Sequence, residues 1–135
     1  MRSLSESISN ALFTGRSKIN PISKSNYKSG WHTTWDDKKV FLRSSYELDY
    51  AKQLDDYKIR YEVESIRIKY FDTLLNRERT AISDFYLLDL NMIVEIKSSY
   101  TFDIINTKEK ALTFKNNGYN YKLILDKKDC TEKIK

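Results

Sequence analysis

The chain has 135 residues and a formal net charge of +5, and 40% of its residues are hydrophobic while 32% are charged. This composition predicts one folded domain and excludes a membrane protein, because no apolar run approaches the roughly 20 residues that a spanning helix needs. The charge is uneven: residues 1–42 carry seven Lys or Arg against three Asp or Glu, residues 98–135 carry eight against five, and residues 43–97 carry nine against eleven. Cationic ends attract phosphate groups and an acidic centre attracts metal ions, although basic ends are also typical of solvated tails.

Residues 1–39 are predicted to form a basic N-terminal arm. In its first part, the only helical pattern places Ile8, Leu12 and Phe13 on one face of a short helix. The first ten residues lack the apolar core of a signal peptide, so we expect a cytoplasmic protein.

Aromatic residues and cations are interleaved at the end of this arm. Trp31 lies near Lys28, Lys38 and Lys39, an arrangement that is typical of nucleic-acid contact. Packing of the two tryptophans onto the core is the alternative. His32 is the only histidine of the chain, and we expect it at the surface or beside a phosphate group rather than on a metal ion.

A helix is predicted over residues 41–58. Ser44 and Glu47 have the S-x-x-E spacing of a capping box, in which the serine caps the helix and the glutamate closes the box. Glu47 also shares a face with Ala51 and Leu54, and an acid beside an apolar stripe usually has a partner. A metal ion would be such a partner, so Glu47 is a candidate site residue as well as a capping residue.

Strands are predicted over residues 59–64 and 65–70, and a polar stretch over residues 72–79 then turns the chain back. The next segment, residues 82–97, reads as a β-hairpin with a tight turn at residues 89–91.

Three charged residues are expected to converge on this hairpin. Glu95 and Lys97 share one face of the second strand, and antiparallel pairing brings Asp84 beside them. Two neighbouring carboxylates repel unless a cation lies between them, and hard oxygen ligands suit Mg²⁺. Lys97 would orient or deprotonate a water molecule and stabilise charge on a phosphate. An edge strand with a solvent-facing ion pair is the alternative.

A second helix follows, which Asn106 or Thr107 is predicted to cap and Gly118 to end. Lys108 and Lys115 lie i, i+7 on one side of this helix, where they would contact phosphate groups or remain solvated.

A last strand is predicted over residues 119–125, which completes a core of residues 40–126 and leaves residues 127–135 as a frayed polar tail. The lone Cys130 in this tail cannot form an internal disulfide, which indicates a reducing compartment.

Three segments together resemble the PD-(D/E)xK nuclease superfamily: FLRSSYELDYAKQL, SDFYLL and IVEIKSS. Asp84, Glu95 and Lys97 have the spacing D-x10-E-x-K, and Ser83 stands where that superfamily often has proline. The resemblance covers roughly residues 40–125. Within the superfamily, these segments are similar to small phage and mobile-element members, namely homing endonucleases, the phage endonuclease that resolves branched DNA, and transposon end-cleaving subunits.

The resemblance implies an α/β (α+β) fold with the αβββαβ core of restriction-endonuclease-like proteins. It implies an endonuclease that uses Mg²⁺, or Mn²⁺ as a substitute, to hydrolyse DNA in a bacterial or phage-infected cell, leaving 5′-phosphate and 3′-hydroxyl ends. Asp84 and Glu95, helped by the Ile96 carbonyl, would hold the metal ion, and Lys97 would position the attacking water.

The helix motif R-S-x-x-E supplies a further acidic residue in these relatives and matches Arg43, Ser44 and Glu47. Glu47 would bind a second metal ion or a metal-bound water, and Arg43 would contact the scissile phosphate or orient Glu47. Cleavage of both strands would favour a homodimer, although no dimer element is visible. Two alternatives remain: a non-catalytic basic nucleic-acid-binding module, and a phage assembly or packaging protein that retains a nuclease-like fold.

Overall fold

A computed structural model describes residues 29–100 and 102–134 of the chain. The short helix predicted around Ile8, Leu12 and Phe13, and the candidate DNA-binding residue Lys28, lie outside the described residues.

The described residues form a mixed α+β fold with two α-helices and three sheets. Neither of these helices is long and apolar enough to cross a membrane. In chain order the elements are β1 (Gly30–Thr33), β2 (Lys39–Leu42), α1 (Ser45–Asp56), β3 (Tyr61–Val63), β4 (Arg67–Asp72), β5 (Arg77–Ile82), β6 (Phe85–Leu87), a 3₁₀ turn (Leu88–Leu90), β7 (Met92–Lys97), α2 (Ile104–Asn116), β8 (Asn120–Leu125), β9 (Lys128–Asp129) and a second 3₁₀ turn (Thr131–Ile134).

A five-stranded sheet in the order β3-β6-β7-β8-β9 carries the core. β6 and β7 are antiparallel, whereas β7 pairs in parallel with β8 through the crossover helix α2. The core cluster that contains the buried face of α1 includes Val94 and Ile96, and the cluster that contains the buried face of α2 includes Ile93. Because both faces of the sheet are covered, residues 121–125 are all buried and do not alternate between buried and exposed.

The predicted polar turn over residues 72–79 is shorter than expected. Residues 73–76 make the turn, and residues 77–79 already belong to β5, which pairs with β4 as a separate two-stranded sheet. Residues 77–80 are all exposed, so this strand shows no apolar alternation that would identify it from the sequence.

The first strand of the predicted hairpin is interrupted at Ser83. The backbone N–H of Ser83 donates to the Ile66 carbonyl at 3.0 Å, and the Ile66 N–H donates to the Ser83 hydroxyl at 3.2 Å. These two bonds close the β4–β5 hairpin, so the chain enters the five-stranded sheet only after Asp84.

Both helices differ from their predicted bounds at the first residues. α1 begins after Ser44 because residues 39–42 pair with β1 as strand β2. The Ser44 hydroxyl accepts from the Glu47 N–H at 3.2 Å, as the capping motif predicts. α2 begins one turn earlier than predicted, since Asp103 caps it. Gly118 follows this helix with φ +92°, a left-handed conformation that glycine adopts without strain.

The described parts of the predicted arm and tail contain strands that pair with the rest of the fold or with each other. Residues 30–42 form the β1–β2 hairpin, which is attached to α1 through a 2.6 Å contact between His32 Nε2 and Asp55. In the predicted tail, β9 pairs with β8 and Ile134 is buried in the same core cluster as α2. The described part of the tail therefore packs through backbone pairing as well as through this apolar side chain.

Candidate functional site

The hairpin register brings Asp84 and Glu95 together. Phe85 lies opposite Val94, so the residue before Phe85 and the residue after Val94 are neighbours across the two strands. The Asp84 carboxylate accepts from the backbone N–H of Ile96 at 2.8 Å, and the Glu95 side chain is only 1% exposed. The two predicted metal ligands are therefore adjacent at the point where β6 begins.

Two lysines flank the buried Glu95. Lys110 Nζ donates to Oε2 at 3.3 Å and lies 3.1 Å from Oε1 as an ion pair. Lys97 Nζ lies 4.0 Å from Oε2, on the same face of β7, and its side chain is 26% exposed. Lys110 thus balances the charge of Glu95, while Lys97 reaches solvent beside it.

Lys110 is a site residue that the sequence analysis missed. It comes from α2, which crosses over the sheet between β7 and β8, so its approach to Glu95 depends on a contact between distant segments. A signal was present, because Lys110 lies next to Thr107, Ala111 and Phe114, the buried residues of this helix. A lysine within a buried stripe requires an acidic partner.

The electrostatics of the site centre on Asp84. Burial and, after it, the charges of Glu95 and Glu47 together raise the pKa of the Asp84 carboxyl to about 8, against the opposing effects of the Ile96 N–H and Lys110. Burial and the charge of Glu95 also raise the pKa of the Tyr121 hydroxyl. A cation placed between these groups would remove the cost of ionising Asp84.

Glu47 has a structural partner and also faces the site. Its Oε1 accepts from the backbone N–H of Arg43 at 3.0 Å, one residue before the capping Ser44, so the box is closed at a neighbouring amide. Burial and, to a lesser degree, the nearby Glu64 raise the pKa of Glu47, whereas the Arg43 N–H, the Arg43 charge and Lys97 lower it. The negative charge of Glu47 also contributes to the raised pKa of Asp84.

The guanidinium group of Arg43 is paired with the carboxylate of Glu64. Its Nε donates to Glu64 Oε2 at 2.6 Å and its Nη2 donates to Oε1 at 3.2 Å. This bidentate pair orients the guanidinium at the start of α1.

The donor chemistry at Asp84 and Glu95 fits Mg²⁺, which binds through one or two carboxylates and retains several waters. Within residues 29–100 and 102–134, however, no group of three or more His, Cys, Asp or Glu side chains is arranged to hold a metal ion. Glu47 therefore does not join the pair as a third ligand in this conformation, and the Glu95 carboxylate is paired with Lys110.

The predicted DNA-binding residues are spread over two surfaces. Trp31 is 73% exposed on β1, and Lys39 is exposed on β2, where Lys38 lies 3.5 Å from Asp36. Lys108 and Lys115 are exposed on α2. In contrast to Trp31, the indole N–H of Trp35 donates to the Ile59 carbonyl at 2.8 Å, so the packing alternative applies to that tryptophan.

Comparisons with protein-family models, with curated proteins and with solved structures find no match to this chain.

Proposed function

We propose that the protein is a metal-dependent DNA endonuclease of the PD-(D/E)xK type. The observation that supports this proposal best is the adjacency of Asp84 and Glu95 beside Lys97 at one end of a hairpin. Apart from the inserted β4–β5 hairpin, the order α1, β3, β6, β7, α2, β8 is compatible with the αβββαβ core that the motifs imply. The substrate is DNA, the metal is Mg²⁺ with Mn²⁺ as substitute, and the site of action is a bacterial or phage-infected cell.

Asp84 and Glu95 would hold the metal ion, together with the carbonyl of Ile96. A bound Mg²⁺ supplies a more acidic water and stabilises negative charge on the phosphate. Ionisation of Asp84 is disfavoured in the protein alone, so this carboxyl would have to release its proton to solvent in order to hold the cation. Glu95 would either exchange its contact with Lys110 for a contact with the metal ion or contact both cations.

Lys97 would act in the chemical step. The Lys97 side chain lies beside Glu95 and reaches solvent, so it would orient the attacking water and, as the neutral amine, accept its proton to become an ammonium group. Glu47 would bind a second ion or a metal-bound water, and Arg43 would orient Glu47 through the backbone bond between them. A single site cuts one strand, so two copies would be needed for a double-strand break.

Incubation with supercoiled, linear and four-way-junction DNA tests this proposal. Cleavage is expected with Mg²⁺ or Mn²⁺ and none with EDTA, and the products should carry 5′-phosphate and 3′-hydroxyl ends. Intact DNA of all three forms with both metals would reject the nuclease.

One observation favours the second candidate, a non-catalytic nucleic-acid-binding module or a phage packaging protein with a nuclease-like fold. The ion pair between Lys110 and Glu95 neutralises the buried carboxylate without a metal ion. On this alternative DNA is bound equally well with EDTA, and Asp84, Glu95 and Lys97 are all dispensable for binding.

A further inference from the structure

The outer face of the β1–β2 hairpin presents an aromatic platform. Trp31 lies directly opposite Phe41 in the register, and their rings meet edge to face with centroids 5.3 Å apart. The guanidinium carbon of Arg43 lies 5.4 Å from the centroid of the Phe41 ring. The order along this face is therefore an exposed indole, a supporting phenyl ring and a cation.

Cationic and polar groups border the same face. Side chains two residues apart on a strand point the same way, so Lys39 shares the face with Phe41, and Thr33 shares it with Trp31. Trp31, Thr33 and Lys39 line an open surface depression of about 510 Å³. We name Trp31, Thr33, Lys39, Phe41 and Arg43 the Trp31 face.

The hairpin is held in place from its other side. His32 contacts Asp55 at 2.6 Å, and the backbone N–H of Trp35 donates to the same carboxylate at 3.1 Å. The Trp35 indole N–H adds the bond to the Ile59 carbonyl at 2.8 Å. Because these contacts fix the hairpin against α1, the exposed ring of Trp31 stands on an ordered base.

We infer that the Trp31 face stacks an unpaired nucleobase of single-stranded DNA. Base stacking on an aromatic side chain, with a cation nearby for the backbone, is how proteins grip single strands without reading sequence. In a duplex each base is already stacked on both sides, so its flat face is not available to Trp31. The loss of one such stack corresponds to a decrease in affinity of about 5- to 140-fold.

This inference rests on the proposed function for its meaning and extends it to the substrate class. Arg43 belongs to the Trp31 face and also donates its backbone N–H to Glu47, which faces the candidate site. The contacts from Trp31 to Phe41 and from Phe41 to Arg43 are 5.3 and 5.4 Å long, so the Trp31 ring and the Arg43 guanidinium are at most about three base steps of 3.4 Å apart. The DNA would therefore have an unpaired segment close to the bond that is cut, as in a junction, a flap or a melted end.

A binding experiment in EDTA tests the platform separately from cleavage. Fluorescence anisotropy would compare a labelled single-stranded oligonucleotide with a duplex of the same length and label. The wild type is expected to prefer the single strand, Trp31→Ala to lose about 5- to 140-fold in affinity for it, and Trp31→Phe to recover part of that loss. Leu112→Ala is the matched control, since Leu112 is an exposed apolar residue on α2 and its change should leave affinity unaltered.

Quenching of tryptophan fluorescence gives a second readout. The chain has two tryptophans, so Trp35→Phe leaves Trp31 as the sole source of tryptophan fluorescence. Thermal unfolding would first show that this variant folds. Stacking predicts that the single strand quenches its emission. Equal affinity for duplex and single strand, unchanged affinity in a folded Trp31→Ala variant, or unquenched emission from Trp31 would each overturn the inference. DNA cleavage without these binding effects would support the nuclease and reject the stacking role of the Trp31 face. These binding effects without any cleavage would support the stacking role and reject the nuclease.

Discussion

Replacement of Lys110 by Met tests how the protein balances the charge of Glu95 without a metal ion. The pair is buried, with Glu95 1% and Lys110 15% exposed, and the distance between Lys110 Nζ and Glu95 Oε1 is 3.1 Å. Removal of one partner of a buried ion pair costs about 3–5 kcal/mol, because the remaining charge is left uncompensated. Lys97, at 4.0 Å and partly exposed, would compensate only weakly, so we expect a loss of about 3 kcal/mol of unfolding free energy in EDTA.

The same substitution should strengthen the response to metal. In the wild type a cation competes with Lys110 for Glu95, whereas in Lys110→Met the two carboxylates have no internal cation from α2. Mg²⁺ should therefore raise Tm more in the variant than in the wild type, by mass action on a tighter site. In a chain of this size a loss of 3 kcal/mol corresponds to a decrease in Tm of about 10 °C, which thermal unfolding resolves easily.

Lys115→Met is the matched control, since Lys115 is exposed on the same helix and its loss should change stability by no more than about 0.5 kcal/mol. The reasoning is refuted if Lys110→Met is as stable as the wild type in EDTA, or if Mg²⁺ raises Tm equally in both proteins.

Three further predictions concern the acidic residues. Mg²⁺ or Mn²⁺ should raise the Tm of the wild type, and Asp84→Asn should abolish that rise; an equal rise in the two proteins would count against the metal site. Because the pKa of Asp84 is about 8 in the folded protein and near 3.8 otherwise, the folded state binds the extra proton between these values. The contribution of Asp84 to the unfolding free energy in EDTA should therefore be largest below about pH 4 and should fall as pH rises to about 8. Urea titrations at pH 5 and pH 8.5 should show this decline in the wild type and not in Asp84→Asn. Glu47→Gln should leave Tm in EDTA unchanged, since Gln also closes the capping box, and should slow cleavage severely; full activity in this variant would assign Glu47 to the helix cap alone.

The hairpin that carries Asp84, Glu95 and Lys97 could be predicted because its information is local. The alternation in V-E-I-K places the two charged residues on one face, and the short turn sets the pairing that brings Asp84 beside Glu95. The capping serine and the glycine after α2 were predictable for the same reason, since each is fixed by a few neighbouring residues.

The remaining features depend on contacts between distant segments. Lys110 reaches Glu95 only because α2 crosses the sheet between two parallel strands, and neither its helix propensity nor its spacing reveals that partner. The interruption at Ser83 requires Ile66, which precedes β4, and the C-terminal segment packs through the pairing of β9 with β8 and the burial of Ile134. Such pairings are set by tertiary packing, which overrides local preference.

The cleavage rate of Lys97→Ala with Mg²⁺ tests the central claim most directly. Lys97 lies beside Glu95 and is partly exposed, so its removal should leave Tm, metal-dependent stabilisation and DNA affinity nearly unchanged. The rate of phosphodiester cleavage should fall by a factor on the order of 10²–10⁴, as expected for the loss of a positioned proton-transfer group. Full cleavage activity in a folded, DNA-binding Lys97→Ala variant would contradict the proposed mechanism.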